Sequence, residues 1–414
     1  MVALRSRASI TKNNLKISKK IYVAAHSRSP AGDDAGSGLT PIVESVGQNG
    51  LIGARQGGHT GVMSQPAWAL RLGVIAALVG SLAILFGYAG GWLSPHRLTP
   101  ARFADGFEQV SGQHPGFRRN HSKGVGVAGY FESNGRGAEF SKARVFQQGR
   151  VPILGRFSLG GGMPNVADAP QTVRGFGICF QLSGAHEWRT AMVNFPVFPF
   201  RTPQAFYENL LASAPDPATG KPDPQKMRAF LDAHPESAAA LKIIAARKID
   251  SGFENSEFNS LNTFRFTDEK GKETWARWSV VPANPEGTNA QPPSQTDQNY
   301  LFDSLIAAVH RQPLQWRLVL TIGEPGDPTD DATLPWPPDR KSVEVGMLVV
   351  DHIESDDTSP ARDLNFDPLI LPDGISPSDD PLLSARSAVY SQSFTRREGE
   401  SKSPSPVSRE ETDQ

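Results

Sequence analysis

A run of 22 residues without a single charge, 72–93, constrains this chain more than any other stretch. As a helix it would be about 33 Å long at about 1.5 Å per residue, enough to cross the hydrocarbon core of a bilayer. A helix that is apolar on every side has no face to give to water, so it is a poor candidate for a globular core. A cleaved signal sequence competes with a membrane span. The run is long for one and no clear small-x-small site stands out, yet Ala89-Gly90-Gly91 is tolerable. Trp68 and Trp92 sit near the two ends of the run, where amphipathic rings favour the membrane interface. The sequence thus predicts one transmembrane helix over 72–93, with everything after it on one side of a membrane.

The preceding residues, 1–71, mix Gly, Ser and Lys without periodicity and read as a disordered basic segment. Up to and including Arg71 the chain carries nine Lys or Arg against Asp33, Asp34 and Glu44. That excess predicts a cytoplasmic N-terminus and a periplasmic or otherwise extracytoplasmic remainder. Met63 offers a second start; from there Arg71 is opposed by Arg97 and Arg102, and most of the bias vanishes.

From residue 98 the composition becomes globular. The net charge of −1 gives no electrostatic reason to expect nucleic acid. The one cysteine, Cys179, excludes an intrachain disulfide and any cysteine-based cluster; in its apolar run it reads as a small buried hydrophobe. Helical patterning covers 100–109 and 203–248. Strands are expected at 144–146 and 151–158, in a hairpin of 263–267 with 273–281, and at 315–320 and 343–350. Acidic, proline-rich 323–340 reads as a surface excursion, and 398–414, rich in Ser, Pro and Glu, as a disordered tail. Strands, then helices, then strands predict an α+β plan, or a barrel, with antiparallel pairing.

Two stretches carry chemistry. His121 precedes Gly124-Val125-Gly126 and a run into Tyr130-Phe131-Glu132, which places it at the mouth of a strand, as a turn residue or as a side chain that reaches a ligand. Gly160-Gly161-Gly162 lacks the Gly-Lys-Ser/Thr of a nucleotide loop. Near the C-terminus Arg386 and Tyr390, four apart, share one helix face. A tyrosine there is ordinarily a half-buried packing residue.

Written as R-x-x-H-x-K-G-x-G-x-x-G-Y-F-E, residues 118–132 resemble the distal-histidine segment of haem catalases. Arg156-Phe157-Ser158 and Val173-Arg174-Gly175-Phe176 match that family's R-F-S followed by R-G-F. Arg386-Ser387-Ala388-Val389-Tyr390, with Arg397 seven residues later, resembles its proximal helix, in which tyrosinate is the axial haem ligand. The likeness spans 98–397 and is strongest to the short, membrane-tethered catalase-related peroxidases. It implies a catalase-like antiparallel β-barrel with helical insertions over 94–397, haem b as cofactor, and peroxide as substrate, with the electron donor unspecified.

By the same resemblance His121 is the distal acid–base residue, Ser158 orients its ring, and Phe206 stacks on the distal side of the haem. Arg118 and Arg156 would pair with the propionates, while Arg386 and Arg397 belong to the haem site and Tyr390 ligates iron. A guanidinium beside a phenol favours the deprotonated form that ligation requires. The pattern departs at Val193-Asn194-Phe195-Pro196: aligned on the proline, the family's catalytic asparagine falls on Val193, and Asn194 is left as the candidate for its place. The departure implies peroxidase chemistry with weak catalase activity at most. A chain ending soon after the proximal helix implies no bound NADPH and a monomer or small oligomer. Two other readings stay open: a fatty-acid hydroperoxide isomerase on the same fold, and a non-enzymatic haem carrier, against which His121 and Ser158 argue.

Overall fold

The computed structural model describes residues 67–90, 93, 97–184, 186–216, 218–285 and 298–413. The expected basic segment up to residue 66, with Met63, and Trp92 lie outside them. The chain divides at Leu70 into two units, the second being residues 71–414. Helix α1 (Ala67–Ala89) has 23 residues and so is about 34 Å long. By length and composition it can cross a membrane, with a mean hydropathy of 2.2 over Trp68–Ala89.

Helix starts repeat one device. In α2 (Pro100–Ser111), α3 (Pro203–Ala212), α4 (Pro224–Ala233) and α7 (Pro381–Glu398) a Thr or Asp caps the first turn with its side chain, and proline follows. The cap satisfies an orphan N–H, and proline has none to lose. The other helices are α5 (Pro235–Ala246), α6 (Tyr300–Arg311) and α8 (Arg409–Thr412).

Among the described residues ten strands form one antiparallel sheet: β1 (Gly124–Ser133), β2 (Gly149–Leu159), β3 (Arg174–Gln181), β4 (Glu187–Val193), β5 (Phe258–Asn259), β6 (Phe264–Thr267), β7 (Glu273–Pro282), β8 (Leu314–Ile322), β9 (Ser342–Ser355) and β10 (Ile375–Pro377). Pairing of β7 with β8 closes eight of them into a barrel in the order β1-β2-β3-β4-β5-β7-β8-β9, and β6 and β10 extend it outward from β7. Closure removes the exposed sheet edges that invite aggregation. This is the expected α+β barrel.

Alternation along the strands builds the core. In β4 Trp188, Thr190 and Met192 are buried while their neighbours are only half-covered; in β7 Ala276, Trp278 and Val280 do the same. With Phe131, Phe157, Phe176 and Trp316 the apolar members of these sets form one continuous cluster. One seam is thin: β4 meets β5 at the single pair Val193 with Asn259.

Three expectations are corrected. Residues 144–146 form one turn of 3-10 helix, in which Phe146 N donates to Ala143 O at 3.0 Å and Gln147 N to Arg144 O at 3.1 Å. The excursion over 323–340 is anchored: Asp331, Thr333 and Trp336 are buried, and Arg277 lies 4.6 Å over the Trp336 ring while donating to Pro328 O at 3.1 Å. The tail is folded rather than disordered to residue 413. Val407 is fully buried, its carbonyl accepts from Ser355 Oγ at 2.6 Å, and Ser408 with Glu411 makes a capping box that starts α8.

Candidate active site

The loop before β1 holds His121 in the left-handed region, φ 58°. For a residue other than glycine this costs about 1–2 kcal/mol, so neighbours must hold it there. Asn120 Oδ1 accepts from His121 N at 3.0 Å and from Gly161 N at 2.8 Å. Arg156 donates Nη1 to His121 O at 2.8 Å and Nη2 to Ser122 O at 3.0 Å. One residue on, the buried Lys123 is fixed by Asp168 Oδ1 at 2.6 Å and by the carbonyls of Val166 and Gln298. The glycine-rich loop therefore acts as a scaffold for the histidine.

The imidazole is equally constrained. Register places Ser158 of β2 opposite Gly124 of β1 and Gly175 of β3. Ser158 Oγ lies 3.1 Å from His121 Nδ1. A Cβ at position 175 would stand 2.9 Å from that hydroxyl and 3.0 Å from the ring, so glycine there makes room for the histidine. Burial, followed by the charges of Arg156, Arg118 and Arg386, pushes the His121 pKa down to about 3. At neutral pH the ring is a neutral base, and Ser158 distinguishes one nitrogen from the other.

On α7, Arg386 lies one turn before Tyr390, its guanidinium carbon 5.8 Å from the phenol ring centre. Arg386 Nη2 donates to Ala191 O of β4 at 2.9 Å, and Nη1 donates to Asn262 Oδ1. Thus Tyr390 is flanked by a cation tied to the barrel wall.

His121 and Tyr390 line one cavity of about 190 Å³, together with Arg118, Ser158, Arg156, Phe206, Arg386 and Arg397. Phe206 stacks on Phe200, ring centres 4.9 Å apart at 10°, and meets Phe103, Phe107 and Phe198 edge to face. Arg397 is buried, and its Nε and Nη2 find no partner among the described residues. Burial and then Arg156 lower its pKa to about 10, so the orphaned group is still a cation. Burial, then Arg397 and Arg156, also push Arg118 well below the usual guanidinium range. Clustered, desolvated guanidiniums of this kind form a site for an anion.

Two expectations change. The Arg156 fork is committed to Asp356, with Nη2 2.7 Å from Oδ2 and Nε 3.0 Å from Oδ1, as well as to the two loop carbonyls. Its clear task is to hold the backbone of His121. Asn194 is not among the residues lining the cavity: its Oδ1 accepts from Arg174 N at 2.9 Å, and its own N–H returns to Arg174 O. Val193 lines the cavity instead. The sequence reading missed Asn120, Asp356 and Asn262, polar residues whose partners are set by folding, and the ring wall of Phe103 and Phe107, for which the helical pattern of α2 was the only signal.

The catalase family profile matches residues 102–413. A catalase-related peroxidase of Synechococcus elongatus is 35% identical over 78% of this chain and 96% of its own length. One of Mycolicibacterium paratuberculosis is 30% identical over 73% of this chain and 96% of its own. Among solved structures a fungal catalase superposes with a TM-score of 0.62 at 21% identity, covering 71% of this chain and 62% of that one. A bacterial catalase gives 0.60 at 21% identity, covering 69% and 58%. This chain thus spans rather less than two thirds of those catalases and nearly all of the related peroxidases.

Proposed function

The chain belongs to the catalase family, and from that membership we propose a membrane-anchored haem peroxidase that reduces hydrogen peroxide or small organic hydroperoxides in the cavity between His121 and Tyr390. The observation that carries the reading is the meeting in one cavity of a neutral imidazole, a phenol flanked by a guanidinium, and a cluster of buried arginines with an orphaned member.

The family implies haem, and the residues present fit it. Arg397 Nε and Nη2, without a hydrogen-bond partner among the described residues, offer donors that a carboxylate would take, with Arg118 nearby. Aromatic and aliphatic walls, including Phe103, Phe206 and Val389, suit a flat macrocycle. We assign haem b, with Tyr390 Oη as the ligand of its iron. Bound there, haem supplies the electrons that cleave the peroxide O–O bond.

The chain's own work is proton handling and orientation. With Nδ1–H donated to Ser158 Oγ, His121 keeps a free lone pair at Nε2, which takes the proton from one peroxide oxygen and returns it to the other. Arg156 keeps the histidine backbone in place during the transfer. Arg386 presents its cation to the Tyr390 ring, 5.8 Å from the ring centre. The apolar rings keep bulk water from competing for the proton. The apolar helix α1 is assigned as the anchor, with the barrel on the extracytoplasmic side.

Replacing Arg397 with Met is expected to stabilise the haem-free protein by about 1–3 kcal/mol, because a buried cation with orphaned donors is removed. The same change should weaken haem uptake. Denaturant melts of haem-free protein and haem titrations measure the two effects; unchanged haem affinity would remove Arg397 from the site.

Val193 sets the balance between reactions. Dismutation needs a second peroxide held in the cavity and stripped of two electrons, and an amide beside the histidine would position it. Valine offers no donor, and the Asn194 amide is engaged with Arg174. Slow oxygen release from peroxide alone and faster turnover with a phenolic donor are expected. Val193→Asn should raise oxygen release relative to donor oxidation by up to roughly tenfold, the worth of one good hydrogen bond. Oxygen-electrode and donor-oxidation assays on one preparation decide it. Vigorous oxygen release by the unaltered protein would overturn the assignment.

A further inference from the structure

Just past the thin seam at β5 the backbone makes an unusual turn. Leu261 adopts φ 65°, and Asn262 N donates to Ser260 O at 2.8 Å, which closes a three-residue γ-turn around the leucine. Such a turn persists only where its surroundings impose it. Here Ser260 N donates to Trp278 O at 2.9 Å, and Trp278 N donates to Ser260 Oγ at 3.1 Å, so β7 clamps the turn from both sides. The product is a fixed direction for the next side chain.

That side chain, Asn262, is buried and lines the cavity. Its Nδ2 donates to Asp380 Oδ2 at 2.7 Å, and its Oδ1 accepts from Arg386 Nη1. A carboxylate can only accept and a guanidinium can only donate, so the amide has one admissible orientation. Asp380 is itself buried; its other oxygen accepts from Leu382 N at 2.9 Å and caps α7. Arg277 is the further cation acting on it. Arg386 leads on to the Tyr390 ring, 5.8 Å away. A chain therefore runs from a buried anion, through an amide that cannot titrate, to a cation and then a phenol.

We propose that Asn262 is a positioning residue that couples the Asp380 carboxylate to Arg386 and thereby sets how strongly the Tyr390 oxygen donates electrons. The proposal rests on the reading of Tyr390 as the iron ligand. A guanidinium near the phenolate draws electron density away from it, and the carboxylate behind the guanidinium weakens that pull. The amide keeps the two in line without a proton of its own to gain or lose.

The test is the iron reduction potential of the haem-loaded full chain, read beside its visible spectrum. In Asn262→Leu the link to Asp380 is cut while Ala191 O still holds Arg386, so Arg386 pulls harder on the phenolate and the potential should move to more positive values. Asp380→Asn keeps a good helix cap and an oxygen that can accept from Asn262 Nδ2, yet removes the charge; Arg386 then pulls harder and the potential should move positive. Positive shifts in both, with the double variant shifting no further than either single one, are outside what general loosening produces. A negative shift, or none, in either variant overturns the proposal. Should Asn262→Leu fail to fold, the Asp380→Asn shift alone decides, a positive shift supporting the coupling and any other overturning it. Tyr390→Phe separates the two levels: a changed spectrum there with no shift in these variants defeats the coupling alone, whereas an unchanged spectrum defeats the ligand assignment and the coupling with it.

Discussion

Tyr390→Phe is expected to leave a folded protein that takes up little haem, or haem with an altered spectrum, and to lose most peroxidase activity. The change deletes one oxygen. It leaves Asp380 capping α7 and Arg386 bonded to Ala191 and Asn262, so circular dichroism and the helix itself should not move. Loss of an outer partner of a metal ligand typically costs 10–100-fold in metal affinity or activity. Removal of the ligand should exceed about 100-fold on that scale. The ratio of haem absorbance to protein absorbance, followed by a donor-oxidation assay, reads the result. Haem content, spectrum and activity equal to those of the unaltered chain would show that Tyr390 is a packing residue and that some other group holds the iron.

What the sequence could disclose depended on how local the physics was. His121, Ser158 and Tyr390 were legible because short motifs carry them, and eight of the nine candidate residues do line the cavity. Register then supplied what the motif could not, since Ser158 stands beside His121 only because β2 pairs with β1 and Gly175 leaves the space. The partnership of Arg156 with Asp356 joins residues 200 positions apart and has no trace in either neighbourhood. Asn262 lies in a turn whose left-handed leucine no propensity would suggest.

The misreadings have physical causes as well. Asn194 follows the last residue of β4, and there its amide closes on the backbone at Arg174 instead of reaching the cavity. The C-terminal segment has the composition of a disordered tail. It is held by long-range contacts, with Ser405 N on Asp357 Oδ1 at 2.9 Å and Asn299 Nδ2 on Pro406 O at 3.0 Å, which composition does not register.

Replacement of His121 is the sharpest test of the proton-transfer role. General acid–base help is typically worth about 10²–10⁴-fold, and the peroxide-dependent spectral change of the haem-loaded protein should slow by that factor in His121→Ala. Alanine also has to adopt φ 58°, so part of any loss could come from a displaced loop. Asparagine tolerates the left-handed region, which makes His121→Asn the control that keeps the backbone and removes the base. Both variants should retain haem and both should be slow.

The pH dependence gives a second readout of the same group. With a folded pKa of about 3, the imidazole is already neutral through the physiological range, so His121 should add no acid limb to the reaction above about pH 4–5. In the unfolded chain the ring takes a proton near pH 6.5, so between the two values the unfolded state binds more protons. Stability is therefore fully present above about pH 6.5 and falls as the pH drops toward 3, and this slope should shrink in His121→Asn. Unaltered rates in both variants, with an unaltered pH slope, would mean that the proton is carried elsewhere in the cavity and that the contact between Ser158 and His121 is only packing.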